Sequence, residues 1–219
     1  SAQGLWFFGE QLAQNDTDRI FLPQLIEATL TAKHQTCLYG YLSELSKDNK
    51  EQYITTIDGF FDLEGTAWLG ANIALGTDYD DDFFVKCLSV LGKGWISPQQ
   101  FSSLLYGRAI DHVPKERLET LFQQLNSYQS EESMYLLVEL LDSIPFNDSS
   151  PVDSEFVFEV VSRSVPGDEG RDAMKGYHWK NVSQKLIKWD ESFALLLLDV
   201  LLTKMGEVYR LSYDSYVEP

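Results

Sequence analysis

Cysteine is nearly absent from the sequence, with only Cys37 and Cys87 among 219 residues. Two cysteines in so long a chain exclude the disulfide framework that stabilises small secreted domains. We therefore expect an apolar core to hold the fold together, in the reducing environment of the cytoplasm.

Basic residues and long hydrophobic runs are also scarce. The 17 lysines and arginines are outnumbered by 34 aspartates and glutamates, which gives a net charge of -17. This balance excludes the phosphate-neutralising surface that direct nucleic-acid binding requires.

The longest strongly apolar run, residues 193–198, is far shorter than the roughly 20 residues that cross a bilayer. We expect a soluble protein that contacts neither nucleic acid nor membrane.

Catalytic and cofactor signatures are missing as well. The sequence has no Gly-x-Ser-x-Gly elbow, no Walker motif and no dinucleotide-binding glycine motif. His34 and Cys37 can share one face of a helix, but no second pair completes a tetrahedral zinc set with Cys87. We expect no cofactor and no zinc site.

Apolar residues at helical spacing are abundant. The hydrophobic fraction is 44%, with 13 Phe, 5 Trp and 11 Tyr, which excludes a disordered chain. The pattern is clearest in residues 95–125, where Ser97 and Pro98 are typical of a helix start and Pro114 of a second one. This stretch predicts one α-helix from Ser97 to near His112 and another from Pro114, joined as an antiparallel hairpin.

Six helices are predicted before residue 95. In five of these segments apolar residues recur every three to four positions, as Leu5, Phe8 and Leu12 do in the first, so they line one face of a helix. Residues 65–76 are instead rich in small side chains that let neighbouring backbones approach closely, which predicts a tightly packed short helix. The segments are 5–13, a stretch starting near Leu22, 35–45, 53–61, 65–76 and 83–91.

Further helices are predicted after residue 125. Ser130 can cap a helix with two apolar stripes, which we expect to lie sandwiched between neighbours. Ser150 and Pro151 predict the start of another, although the phenylalanines and valines that follow also suit a strand. Residues 171–188 suggest a less regular helix.

The last firm helix begins at Asp190 and Glu191. Its residues 193–202 are almost all apolar and leave almost no polar face. A helix that is apolar all round is normally buried all round. We therefore expect this helix to be central to the packing.

Helix-pair starts near Ser97, Ser130 and Arg171 indicate a loose repeat of roughly 33 to 42 residues. This layout resembles that of HEAT and armadillo-like α-solenoids, in which antiparallel helix pairs stack into a curved array. The resemblance implies an all-α fold of stacked helix pairs; the alternative is a compact, irregular helical bundle. From the chain length we expect residues 1–219 to form a single domain. Because the chain starts at Ser1 and stops where a new helix can begin, we expect it to be a piece of a longer protein.

Asp80, Asp81 and Asp82 form the most metal-like cluster in the sequence. An EF-hand loop is excluded, because Phe83 occupies the glycine position. The cluster is similar to the acidic motif with which terpene synthases hold magnesium on a substrate diphosphate, although Val85 replaces the closing acid. The structural interpretation is that these carboxylates favour the positive N-terminus of the next helix. The alternative is a metal-dependent helical enzyme that acts on a diphosphate-like substrate.

Two groups of aromatic and polar residues are candidates for binding. Such groups are enriched in binding hot spots, although aromatic rings also anchor neighbouring helices in a core. The candidates are Tyr177, His178 and Trp179, and also Trp95, Tyr106 and Arg108. With catalytic signatures missing, the sequence favours a noncatalytic helical-repeat module. Its partner is another protein or other domains of its own chain, for which it serves as an interaction, regulatory or sensor region.

Overall fold

The computed structural model is all-α, which confirms the predicted fold class. It describes residues 2–32, 34–76, 80–106, 109–128, 130–166 and 173–214. No β-strand occurs among these residues, and none of their helices is both long and apolar enough to cross a membrane. The chain divides into two compact units, residues 1–97 and 98–219. The stacked solenoid and the single-domain organisation stay predictions.

In the first unit, every segment predicted to be helical is a helix. The elements are α1 (Ala2–Asn15), α2 (Phe21–Ala32), α3 (Thr36–Asp48), α4 (Lys50–Phe60), α5 (Glu64–Leu75) and α6 (Asp81–Gly92). From α3 to α6 each helix packs on the next, and both α1 and α2 pack on α3. The core centres on α3, whose Leu38, Tyr41 and Leu45 are completely buried.

The contact between α1 and α3 is close because each helix carries a glycine there. A Cβ atom on Gly9 would lie 2.1 Å from the carbonyl oxygen of Cys37, and one on Gly40 would lie 2.1 Å from that of Trp6. Any side chain at either position would therefore overlap the backbone of the other helix. Only glycine, which has no Cβ, permits this approach.

A buried carboxylate joins the first three helices. Asp16 is 4% exposed and accepts hydrogen bonds from the backbone N–H groups of Ile20 and Phe21 and from the Tyr41 hydroxyl, each at 2.8 Å. Burial by itself raises the pKa of Asp16, but these hydrogen bonds and the nearby Arg19 outweigh it and hold the pKa below its ordinary value. This side chain therefore links the end of α1 and the start of α2 to α3.

The second unit is arranged around α8. Its described elements are the 3-10 helices Pro98–Leu105 and Ala109–His112, followed by α7 (Lys115–Tyr128), α8 (Glu131–Ser143), α9 (Ser154–Arg163), α10 (Ala173–Trp189) and α11 (Phe193–Asp214). Ser130 caps α8 as predicted. This helix packs on the first 3-10 helix, α7, α9 and α10, and its Leu136, Leu137, Leu140 and Leu141 are completely buried. The prediction of a sandwiched helix is confirmed.

The predicted α-helix between Ser97 and His112 is wrong, because residues 98–105 and 109–112 form 3-10 helices. The buried side chains of the first are Phe101 and Leu104, and a 3-10 helix places residues three apart on the same side. The Ser103 hydroxyl donates to a carbonyl oxygen within the segment, which competes with α-helical hydrogen bonding. The predicted helix start at Pro114 is confirmed by α7.

Residues after Pro151 form a helix and not a strand, but the helix starts later than predicted. The Ser150 hydroxyl donates to the Pro145 carbonyl oxygen at 2.7 Å and accepts the Asn147 N–H at 2.9 Å. Because Ser150 closes this turn, it does not cap α9. Asp153 is the cap, accepting a backbone N–H of the first turn at 2.8 Å.

Candidate functional site

Along its outer side, α11 exposes a continuous run of leucines. Leu195, Leu198 and Leu202 follow one another at spacings of three and four residues, so they lie along one side of the helix. They are 77%, 50% and 58% exposed, and the adjoining Leu196 is 49% exposed. Leu196 lies about 100° around the helix from Leu195, so it does not belong to this side. We call Leu195, Leu198 and Leu202 the leucine face.

The prediction that the last helix is central to the packing is therefore wrong. Phe193 and Leu197 are buried, and the Phe193 ring stacks on Phe158 of α9 with 5.0 Å between centroids. Through this side α11 contacts α9 and α10. The central position in the unit is already filled by α8, so α11 packs at the periphery with one side outward.

Two of the three residues predicted as a binding patch near the start of α10 join this helix to its neighbours. The Nδ1 atom of His178 lies 2.8 Å from a carboxylate oxygen of Asp142 in α8. The indole N–H of Trp179 donates to the Val161 carbonyl oxygen of α9 at 2.9 Å. Tyr177 is 56% exposed, so it is the residue of the three whose side chain is most open to a partner. Binding by this patch stays a prediction.

The carboxylate of Asp142 in α8 is the shared acceptor for three side chains of α10. Besides His178, it accepts a hydrogen bond from the Asn181 amide at 3.1 Å and pairs with the Lys185 ammonium at 3.1 Å. Burial by itself raises the pKa of Asp142, but the hydrogen bonds from these three side chains outweigh it and hold the pKa below its ordinary value. The cluster is thus a structural ion-pair network.

Asp142→Ala is expected to lower the free energy of unfolding by about 2 to 3 kcal/mol, because three donors of α10 lose their charged acceptor. Urea unfolding at neutral pH, followed by circular dichroism, measures this loss. The matched control is Asp148→Ala, whose exposed carboxylate makes no hydrogen bond among the described residues. Equal stability of the two variants would contradict the role of Asp142.

The second predicted patch is divided between the two units. Trp95 belongs to the first, where the Lys93 ammonium lies 4.4 Å from its ring centroid. Tyr106 belongs to the second and is 76% exposed. Arg108 lies outside the described residues. Binding by these three residues stays a prediction.

The acidic residues Asp80, Asp81 and Asp82 lie at the N-terminus of α6, as predicted. A carboxylate oxygen of Asp80 accepts the Phe83 N–H at 3.1 Å and caps α6, whose first turn contains Asp81 and Asp82. Negative side chains are stabilising at this end of a helix. Among the residues that the structure describes, no group of three or more His, Cys, Asp or Glu side chains is placed to hold a metal ion. The metal-dependent alternative stays a prediction.

A groove of about 430 Å³ lies between α7, the turn before α9 and the end of α10. Its lining includes Lys115, Glu119, Asp148, Asp153, Phe156 and Trp189. Asp153 is engaged in capping, and Glu119 lies 3.9 Å from the Lys115 ammonium. The remaining carboxylate, Asp148, lines the groove together with the aromatic side chains of Phe156 and Trp189. Such a lining favours a cationic group over an anion.

The first unit exposes apolar side chains on α1. Leu5, Phe7 and Phe8 are 41%, 55% and 58% exposed. Among the α1 side chains whose burial the structure describes, the buried residues are Gly9 and Ala13. Phe7 lies about 100° around the helix from Phe8, so these three side chains do not form a single stripe. The leucine face is the longer continuous stripe.

The exposed features that a partner can contact include the leucine face, the groove, the α1 side chains, and the rings of Tyr106 and Tyr177. Of these, the leucine face presents the most uniform chemistry, since it contains only aliphatic side chains. Its function must be inferred from the geometry of the chain itself. No protein-family model matches the chain, and neither a curated protein nor a solved structure shows significant similarity to it.

Proposed function

We propose that the chain is a noncatalytic helical module that binds another protein chain through the leucine face. The observation that supports this function is the exposure of Leu195, Leu198 and Leu202 along one side of α11. Their exposed fractions amount to nearly two whole leucines, roughly 300 Å² of apolar surface, which is the size of patch that often marks an interaction site. Covering this surface removes apolar area from water, which favours association.

The packing of α11 against the rest of its unit supports the same function. Phe193 and Leu197 are buried against the rest of the unit, so the leucines project from a helix that is already docked. A partner does not have to order this surface before binding it, which lowers the entropic cost of association. An exposed helix face with apolar residues at spacings of three and four is a common means of protein recognition.

The perturbed ionisable groups support a noncatalytic role. Asp16 and Asp142 both have lowered pKa values because they accept hydrogen bonds that join helices. Burial raises the pKa of Cys87 to about 12, so this thiol stays neutral and unreactive near pH 7. Each of these groups is used in packing.

Leu195→Gln combined with Leu198→Gln is expected to weaken partner binding at least tenfold without unfolding the chain, because both side chains are exposed. Loss of the apolar contacts of two leucines corresponds to about 2 kcal/mol or more. Proteins captured from native lysate are identified, purified and titrated against the chain by calorimetry. The matched control is Leu63→Gln, a change at a leucine that is 65% exposed in the first unit.

The expected result is a purified partner that binds the wild type and Leu63→Gln equally well and the double variant weakly. A partner that binds all three proteins equally would contradict the assignment to α11. Absence of any association, with a second protein or with a second copy, would contradict the function itself. Circular dichroism of each variant excludes unfolding as the cause.

A further inference from the structure

We infer that the groove between α7, the turn before α9 and the end of α10 is a second binding site, which takes the arginine side chain of a basic protein segment. This site goes beyond the proposed function, because the residues that line it belong to elements other than α11. The inference is supported by the charge of the lining, by its aromatic rings and by the size and openness of the groove.

The charge of the groove leaves one carboxylate for a ligand. The lining contains three carboxylates, of Glu119, Asp148 and Asp153, and one ammonium, of Lys115. Lys115 lies 3.9 Å from Glu119 and offsets its charge, and Asp153 accepts the Phe156 N–H as the cap of α9. Among the described residues Asp148 has neither a hydrogen bond nor an ion pair. The groove therefore keeps a net negative charge, which attracts a cation and repels an anion.

Two aromatic rings distinguish this groove from an acidic patch on a solvated surface. Phe156 and Trp189 line it together with Asp148, and the Trp189 ring packs on Phe146 with 5.6 Å between centroids. The face of an aromatic ring attracts a cation, and tryptophan does so most strongly. A guanidinium group is more weakly hydrated than an ammonium and stacks flat on a ring. It can also pair with a carboxylate through two N–H groups at once. A ring face together with a free carboxylate therefore favours arginine over lysine.

The backbone that carries the free carboxylate is ordered without a ligand. The Ser150 hydroxyl donates to the Pro145 carbonyl oxygen at 2.7 Å and accepts the Asn147 N–H at 2.9 Å. The Ser149 N–H donates to the side-chain oxygen of Asn147 at 2.8 Å. These hydrogen bonds close the turn on both sides of Asp148. A ligand does not have to order this turn, which lowers the entropic cost of binding.

The size and openness of the groove suit a side chain that belongs to a polypeptide. Its volume of about 430 Å³ is within the range of roughly 300 to 1,000 Å³ that is usual for ligand sites. Because the groove is open to solvent, a bound side chain can stay attached to its backbone. The side-chain amides of Gln123 and Asn147 are part of the lining and can donate to the carbonyl oxygens of that backbone. The net charge of -17 attracts a basic segment toward the chain from a distance.

Titration of the full chain with the peptide acetyl-Gly-Arg-Gly-amide tests the inference. Proton–nitrogen NMR separates the indole N–H signals of the 5 tryptophans, and Trp189→Phe identifies the signal of Trp189. The arginine peptide is expected to shift this signal saturably, with a dissociation constant on the order of 1 mM. The peptide with citrulline, which has a similar shape without the charge, should bind at least tenfold more weakly, and the peptide with lysine about threefold more weakly.

Two substitutions with matched controls assign the binding to the groove. Asp148→Asn is expected to weaken binding of the arginine peptide at least fivefold, because the free carboxylate is lost. Asp18→Asn, at an exposed aspartate of the first unit, should leave binding unchanged. Lys115→Gln is expected to strengthen binding about twofold, since it removes the ammonium that offsets the charge of the groove. Lys50→Gln, at an exposed lysine of the first unit, makes the same change in net charge and should not strengthen binding.

The expected result is a saturable shift of the Trp189 signal that depends on the charge of arginine and on Asp148. Absence of a saturable shift up to about 20 mM peptide overturns the inference, as does equal binding of the citrulline peptide. Unchanged binding to Asp148→Asn overturns it too, and a lysine peptide that binds as tightly overturns the assignment to arginine. Since the leucine face is tested with a protein partner and with α11 variants, failure of this inference leaves the proposed function standing.

Discussion

Gly40→Ala is expected to lower the free energy of unfolding of the first unit by about 3 kcal/mol or more, because the added methyl group overpacks the contact between α1 and α3. The new Cβ would lie 2.1 Å from the Trp6 carbonyl oxygen. That oxygen belongs to the backbone of α1, so no rotamer change relieves the overlap and the whole helix must move away. Gly9→Ala is expected to have a similar effect from the other side, against the Cys37 carbonyl oxygen.

Urea unfolding followed by tryptophan fluorescence measures the loss of stability, and hydrogen exchange in α1 shows whether this helix has separated from α3. Gly59→Ala in α4 is the matched control, because a Cβ at Gly59 meets nothing within 4 Å. It is expected to stabilise the unit by about 0.5 to 1 kcal/mol, since alanine favours the helix. Replacing glycine by alanine should thus lower the free energy of unfolding at Gly40 and raise it at Gly59. Equal changes in the free energy of unfolding for Gly40→Ala and Gly59→Ala would contradict the close contact between α1 and α3.

Asp16→Ala is expected to lower the free energy of unfolding by about 3 kcal/mol, because it removes a buried charged acceptor from three donors at once. The N–H groups of Ile20 and Phe21 and the Tyr41 hydroxyl each lie 2.8 Å from the carboxylate. Without it the turn from α1 into α2 loses its fixed conformation. Asp18→Ala, an exposed aspartate in the same connection, is the control and should change stability by less than about 0.5 kcal/mol.

The effect of Asp16→Ala should also depend on pH. The pKa of Asp16 is lower in the folded chain than its ordinary value, so at low pH the unfolded chain takes up the proton more readily. The stabilisation is therefore complete above the unfolded-state pKa of about 4 and is lost as pH falls through the lower native pKa. Unfolding measured at about pH 7 and about pH 3 should show a smaller difference between wild type and variant in acid. A difference that stays constant would contradict the charged role of Asp16.

Much of the helix pattern could be predicted from the sequence because it depends on local chemistry. Pro114 fits a first turn wherever the helix packs, and Ser130 satisfies an N–H group of its own first turn. The helix predictions that were wrong involve serines whose hydroxyls form hydrogen bonds within a turn and do not cap the predicted helix. Ser150 was a plausible cap by type, yet its hydroxyl closes the preceding turn.

For the candidate binding residues, the sequence could not predict which side chains are engaged by other helices. Tyr177, His178 and Trp179 are adjacent in sequence, but their environments differ because neighbouring positions on a helix face different directions. His178 faces a carboxylate of α8 and Trp179 a carbonyl of α9. Those partners are more than a dozen residues away along the chain, and periodicity within α10 does not reveal them.

The comparison of α8 with α11 separates what the sequence determined from what only the tertiary structure decided. Both helices have apolar residues on two sides, and the sequence alone determined that both are helices and that each has apolar surface to cover. Within the unit, α8 is surrounded by neighbours, whereas α11 is covered on one side and exposes three leucines on the other. Helical periodicity depends on contacts a few residues apart, but burial depends on which distant segments pack against each side. The leucine face, and with it the proposed function, therefore emerges only from the assembled unit.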